Sequence, residues 1–174
     1  MDQPVRHWSK KVCLLGDYAV GKTSLVRRFV EGRFDDRYLS TIGVKVDRKV
    51  LHVTGPDGPV VLSVMLWDLA GGPDVAPIAP SYYRGASGAV IVCDLTRPET
   101  LAGTGRYAER FLAANPAARW VLAANKADLA GERRLSEREL GETAAAHGVP
   151  LFLTSARSGD QVEELFRQLG LLLI

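Results

Sequence analysis

The chain has 174 residues and a formal net charge of +2, and 47% of its residues are apolar. That length suits one domain with a sizeable core, and the near-neutral charge gives no reason to expect a nucleic-acid surface or a polybasic membrane arm. No basic-then-apolar leader opens the sequence, no apolar run approaches a bilayer span, and Cys13 and Cys93 sit among aliphatic residues as buried thiols do, so a cytoplasmic protein is expected.

In chain order, residues 1–10 read as a polar N-terminal extension and residues 11–174 as the folded domain. Residues 11–15 form an apolar run that suits a buried strand. Gly16-Asp17-Tyr18-Ala19-Val20-Gly21-Lys22-Thr23 follows. Leu25, Val26, Phe29 and Val30 then set an apolar stripe at helical spacing over residues 22–30. A glycine, four residues and Gly-Lys-Thr between strand and helix is the phosphate-binding loop pattern. The glycines let the backbone turn and point successive N–H groups inward, and the helix adds its unpaired N–H groups and positive dipole end. Lys22 can reach the β- and γ-phosphates, and the Thr23 hydroxyl can ligate Mg²⁺. The plain alternative is a glycine-rich turn that binds nothing; the register of the lysine and threonine weighs against it.

Residues 31–43 are polar and mixed, hence a loop. Residues 46–53 alternate apolar and charged, as a half-exposed edge strand does. Gly55-Pro56-Asp57-Gly58-Pro59 signals a turn into a strand over 60–67, which makes an antiparallel hairpin. Gly71, Gly72, Pro73, Pro77 and Pro80 make residues 68–84 a loop. Residues 89–93 are an apolar strand ending at Asp94. Thr96 and Glu99 form a capping-box pattern for a helix reaching about Asn115, with Leu101, Ala108, Phe111 and Leu112 on its core face and weak points at Gly103 and Gly105. A strand over 120–124, a helix opened by Ser136 and Glu139 and stopped near Gly148, and a strand over 151–153 follow. Asp160 is expected to cap the last helix, whose core face is Val162, Leu165, Phe166 and Leu169. Strands alternating with helices argue a mostly parallel sheet with helices on both faces, whose ligands bind at the carboxyl ends of the strands.

Three more strand ends carry suggestive residues. Asp68 can hold a metal through water, and Gly71 can offer its N–H to a terminal phosphate with no side chain in the way. In Asn125-Lys126-Ala127-Asp128, the Asp128 carboxylate can accept from both guanine donors, which adenine lacks, while the Lys126 stem covers the base face. Thr154-Ser155-Ala156 can present N–H groups to the guanine O6. Each motif alone could equally be an ordinary turn. Three in order, each after a strand, make coincidence implausible.

With those residues in view, the chain resembles a small GTPase of the Ras superfamily, and within it the Rab branch, over residues 11–169. Ser40-Thr41-Ile42-Gly43-Val44 resembles the Rab switch I signature, Trp67-Asp68 with Ala70-Gly71 the start of switch II, and Ser81-Tyr82-Tyr83-Arg84-Gly85-Ala86 a Rab-like run. The resemblance implies the P-loop NTPase (small G protein) fold, an α/β architecture. It has a six-stranded, mostly parallel sheet with one antiparallel edge strand, and five helices on both faces. It implies GTP/GDP and Mg²⁺ as ligands, with Thr23, Thr41 and Asp68 at the metal and Lys22, Thr41 and Gly71 in catalysis. Nucleotide contacts would come from Asp17, Tyr18, Ala19, Val20, Gly21, Lys22, Thr23 and Ser24 of the loop, and from Phe34, Tyr38, Thr41 and Gly71. Asn125, Lys126, Asp128, Ser155, Ala156 and Arg157 would complete the set. Phe34 would pack on the guanine and Tyr38 close over the phosphates; loop anchoring is the plain alternative for both. Thr41 would bind Mg²⁺ in the GTP state and let go after hydrolysis. Effectors and regulators would meet switch I (35–45) and switch II (69–84).

The chain departs from the family pattern where catalysis is concerned. The family places a glutamine directly after the switch II glycine to orient the attacking water; here that position is Gly72, followed by Pro73. Tyr18 stands where the phosphate loop usually has a small residue, and Pro77 and Pro80 fall where a switch II helix often lies. The chain ends Leu171-Leu172-Leu173-Ile174 with no cysteine for prenylation, so no lipid anchor is expected in it. The expectation is a guanine-nucleotide switch with weak intrinsic hydrolysis. The alternative is an essentially non-hydrolysing GTP-binding scaffold or signalling module. Arg33, Arg37 or Asp74 could supply the missing help in cis, or be solvated loop charges. An ATP-dependent kinase is disfavoured by the 125–128 motif.

Overall fold

A computed structural model of the chain describes residues 4–72 and 77–174. Its apolar runs become strands β1 (Arg6–Leu15), β4 (Gly88–Asp94), β5 (Arg119–Asn125) and β6 (Leu151–Leu153). The hairpin is β2 (Val44–Gly55) and β3 (Gly58–Leu69). The helices are α1 (Lys22–Glu31), α2 (Ala79–Tyr83), α3 (Pro98–Ala102), α4 (Thr104–Ala114), α5 (Glu137–His147) and α6 (Val162–Leu172). The six strands form one sheet in the order β2-β3-β1-β4-β5-β6. Only the β2–β3 pair is antiparallel.

Alternation along the central strands sends side chains to two cores. Val12 and Leu14 of β1 pack with Leu25, Val26 and Phe29 of α1 and with Leu165 and Phe166 of α6. Cys13 and Leu15 go to the other face, with Phe111 of α4 and Leu140 of α5. Each such aliphatic side chain contributes about 1.5–3 kcal/mol by leaving water. Both cysteines are free and buried, and burial pushes each thiol up to about 12. No helix among the described residues is long and apolar enough to cross a membrane.

Four local expectations are corrected. Residues 6–10, expected as a polar lead-in, are strand: β1 pairs with β3 from Arg6–Val60 onward. Its other edge meets β4 only from Val12, so the polar residues there keep contact with water. The helix expected to open with a Thr96–Glu99 box instead has Arg97 at its N-cap with no side-chain cap, and it breaks at Gly103 into α3 and α4. The Thr96 hydroxyl donates to Asp94 Oδ1 at 2.7 Å, which removes it from capping. That break makes six α-helices among the described residues where five were implied. Asp160 does not cap α6; Gln161 holds the N-cap position with φ 54°. Residues 79–83, expected as loop, form the short helix α2, with Pro80 in its first turn, where no N–H is required of it. The Ser136–Glu139 capping box and the left-handed Gly148 end of α5 are as expected.

Candidate functional site

Strand order reverses at β1, between β3 and β4, and the loop that follows β1 opens there. Gly16 and Gly21 have φ of +146° and +103°. A Cβ on Gly16 would lie 2.4 Å from the Val92 carbonyl oxygen, and one on Gly21 2.3 Å from Asn125 Nδ2. Glycine is required at both. No side chain caps the first turn of α1, so its orphan N–H groups are open to an anion. Lys22 is 7% exposed, and its ammonium donates to the carbonyls of Gly16 (2.9 Å) and Asp17 (2.8 Å). Burial brings its pKa down to about 8, against the opposing pull of Asp68 and Asp17.

Beside Lys22 lies a cluster of oxygen ligands. The Thr23 hydroxyl donates to Asp68 Oδ2 at 2.6 Å and stands 2.6 Å from the Thr41 hydroxyl. Asp68 is buried at the end of β3, and burial raises its pKa in spite of the Thr23 bond and the Lys22 charge. Its Oδ1 is buried with no hydrogen-bond partner. An orphaned buried carboxylate oxygen is costly, and a divalent cation relieves it. One carboxylate and two hydroxyls form an all-oxygen set of the kind Mg²⁺ takes together with substrate phosphates and water, so the residues fit that ion. Gly71 closes over the loop: a Cβ there would lie 2.7 Å from Lys22 Nζ and 2.8 Å from the Gly16 carbonyl oxygen. Gly72 has φ +105°, and no atom of the described residues lies within 4 Å of its Cβ position.

A cavity of about 350 Å³ runs from this cluster to the ends of β5 and β6. Tyr18, Ala19, Gly21, Lys22, Thr23, Ser24, Thr41 and Gly71 line one end, and Asn125, Lys126, Asp128, Ala156 and Arg157 the other, with Phe34 and Tyr38 on the wall. Asn125 ties the loops together. Its Nδ2 donates to the Val20 carbonyl (3.0 Å), and its Oδ1 accepts from Thr154 Oγ1 (3.1 Å) and the Ala156 N–H (3.3 Å). Asp128 accepts from the Ser155 hydroxyl at 2.8 Å, which aims the carboxylate. The Arg157 carbonyl accepts from Arg28.

Asp17, Val20, Asp68 and Ser155 do not line this cavity. The Val20 side chain belongs to the core, and Ser155 is buried. The Asp17 carboxylate turns to the far side of the loop, where Tyr107 donates its hydroxyl at 2.9 Å. Tyr18 is half exposed; its hydroxyl shares a 2.9 Å hydrogen bond with Ser40, and its ring meets Tyr38 edge-on with centroids 5.7 Å apart. Arg33 pairs with Glu31 and Arg37 with Asp35. Pro73 and Asp74 lie outside the described residues.

Sequence reasoning passed over Asp94, Arg97 and Tyr107. Asp94 Oδ2 accepts from Lys126 Nζ (2.7 Å) and Arg97 Nε (3.1 Å). Arg97 Nη2 reaches the Tyr18 carbonyl at 2.7 Å. The available signal was an aspartate closing an otherwise apolar strand at the ligand-binding edge.

The fold and this cavity define a P-loop protein built for a purine nucleotide and Mg²⁺. Residues 11–173 match the Ras family. GTP-binding protein ypt5 of Schizosaccharomyces pombe is 39% identical over 160 residues, covering 91% of this chain and 74% of its own. Human Ras-related protein Rab-31 is 36% identical, covering 90% of this chain and 79% of its own. Canine Ras-related protein Rab-13 is 32% identical over 92% and 77%. The chain belongs to the Ras family and is a Rab-like small GTPase. It is a molecular switch that binds GTP and GDP with Mg²⁺, hydrolyses GTP, and works through protein effectors and regulators.

Proposed function

We propose that this switch selects guanine through Asp128, holds phosphate through the 16–23 loop and Lys22, and hydrolyses GTP slowly. Thr23, Thr41 and Asp68 would hold Mg²⁺, which would supply charge to offset that developing on the phosphate. Lys22 moves from its loop carbonyls to the terminal phosphates. The Gly71 N–H meets the terminal phosphate, and Phe34 and the Lys126 stem flank the base. Asp17, Val20 and Ser155 act through the backbone or through their neighbours.

The observation that carries the slow rate is Gly72, which has no side chain to place the attacking water. Catalysis in this class is chiefly positioning and electrostatics, so the loop, Lys22 and the metal keep some activity. Ras, with its glutamine, hydrolyses at about 3–5 × 10⁻⁴ s⁻¹, and this chain belongs at or below roughly that order. Effectors and regulators meet residues 35–45 and 69–84; Tyr38, Leu39 and Ile42 are exposed there, as a docking surface requires. The buried thiols suit a cytoplasmic protein.

Two measurements test this reading. Nucleotide released from the purified protein and separated by chromatography should be GDP or GTP; adenine nucleotides would overturn it. Single-turnover hydrolysis of preloaded GTP should stay at or below that slow order. A rate of about 10⁻² s⁻¹, as in proteins with an arginine in cis, would show that another residue replaces the glutamine.

A further inference from the structure

We propose that Asp94 and Arg97 are positioning residues that tie the base half of the nucleotide pocket to its phosphate half and set the direction of one loop N–H group. Asp94 stands at the end of β4, between the strand that feeds the phosphate loop and the strand that feeds Asn125 and Lys126. It is fully buried. Its Oδ1 accepts from the Thr96 N–H (2.8 Å) and hydroxyl (2.7 Å), and its Oδ2 from Lys126 and Arg97. Burial alone would favour the neutral acid, but the Lys126 and Thr96 bonds outweigh it and hold the group charged. One edge of the Arg97 guanidinium meets that carboxylate, and its Nη2 meets the Tyr18 carbonyl. A planar fork fixes the directions of both bonds, whereas an ammonium is a point charge on a flexible stem.

The consequence lies across the next peptide bond. The peptide bonds among the described residues are trans, and in a trans peptide the carbonyl and the following N–H point in opposite directions. Drawing the Tyr18 carbonyl outward to Arg97 therefore turns the Ala19 N–H towards the cavity. Ala19 takes φ 61°, a conformation that a non-glycine residue keeps only when its surroundings impose it. Arg97 supplies part of that imposition. It lies outside the phosphate-loop motif and outside every motif that carried the family resemblance.

The inference rests on the guanine-nucleotide reading of the cavity, and the test separates the two. Affinities for GDP and GMP are measured by competition for the unmodified protein, Arg97→Ala, Arg97→Lys and Lys126→Met. Arg97 bears on the phosphate loop, so Arg97→Ala should weaken GDP about tenfold, the worth of one charge-assisted hydrogen bond, and GMP much less. Arg97→Lys should fall between the two. Lys126→Met, which alters the base side, should weaken both ligands alike. An equal loss of GDP and GMP in Arg97→Ala would make Arg97 merely structural and overturn the proposal, as would no loss at all. Failure of the unmodified protein to prefer GDP over ADP would instead overturn the reading of the cavity itself.

Discussion

The Tyr18 hydroxyl and the Ser40 hydroxyl share a 2.9 Å hydrogen bond, which joins the phosphate loop to the segment that carries Thr41. Few bonds hold residues 35–43 to the rest of the chain, so this one weighs on their mobility. Tyr18→Phe keeps the ring against Tyr38 and loses only the bond. Amide exchange across residues 39–43, with the same nucleotide bound, should quicken about threefold to tenfold, the range for a hydrogen bond of this kind. Unchanged exchange would mean that the contact restrains nothing.

Asp128→Asn exchanges one carboxylate acceptor for an amide donor while keeping the shape and the Ser155 contact. GTP affinity should fall on the order of 10²-fold or more, because a donor then faces a donor. Xanthine nucleotide should bind the variant better than GTP does. Competition titration decides this, and an undiminished guanine preference would place base recognition elsewhere.

Lys22 gives the stability of the nucleotide-free protein a characteristic pH dependence. Its pKa is about 8 when folded, against 10.5 for the free side chain. Below pH 8 the folded state carries the buried charge at full cost. Between the two values the folded state has already released the proton and the unfolded chain still binds it, so stability rises with pH across that window. The whole span amounts to roughly 3 kcal/mol. Urea midpoints of the nucleotide-free protein from pH 7.5 to 10 should rise more than those of Lys22→Met, and parallel curves would contradict it.

Gly72→Gln restores the side chain that the family places there, but at φ +105°. A side chain at positive φ costs about 1–2 kcal/mol, which the chain relieves by moving the backbone, so the amide will not sit where the water needs it. The basal rate should rise by less than about tenfold. A gain of several hundredfold in single-turnover assays would show that Gly72 alone limits the rate.

The parts of the site that were legible in the sequence are local. Gly16 to Thr23 can be read because a strand, two glycines and a helix start specify the turn by themselves, and Asn125 to Asp128 because the motif follows a strand. Tertiary pairings were not legible. Thr96 and Glu99 have capping-box spacing, yet the Asp94 carboxylate, two residues before Thr96, captures the hydroxyl. Arg97 reads as a surface charge until β4 brings it beside Tyr18. Residues 6–10 look like a tail because their partner in β3 lies more than fifty positions away. In each case the deciding acceptor, donor or strand edge comes from elsewhere in the fold.

Gly103, where the helix breaks, sits under the phosphate loop. A Cβ there would lie 3.5 Å from the Asp17 carboxylate, the group that Tyr107 of α4 holds from below. The floor of the loop is therefore tied to the outer helix layer by one phenol. A shove delivered to the first turn of α4, which shares a cavity with Gly72, Ala79 and Tyr83 of the second switch, would travel through Tyr107 to Asp17 and reach the loop from behind, without passing through Thr41 or Asp68.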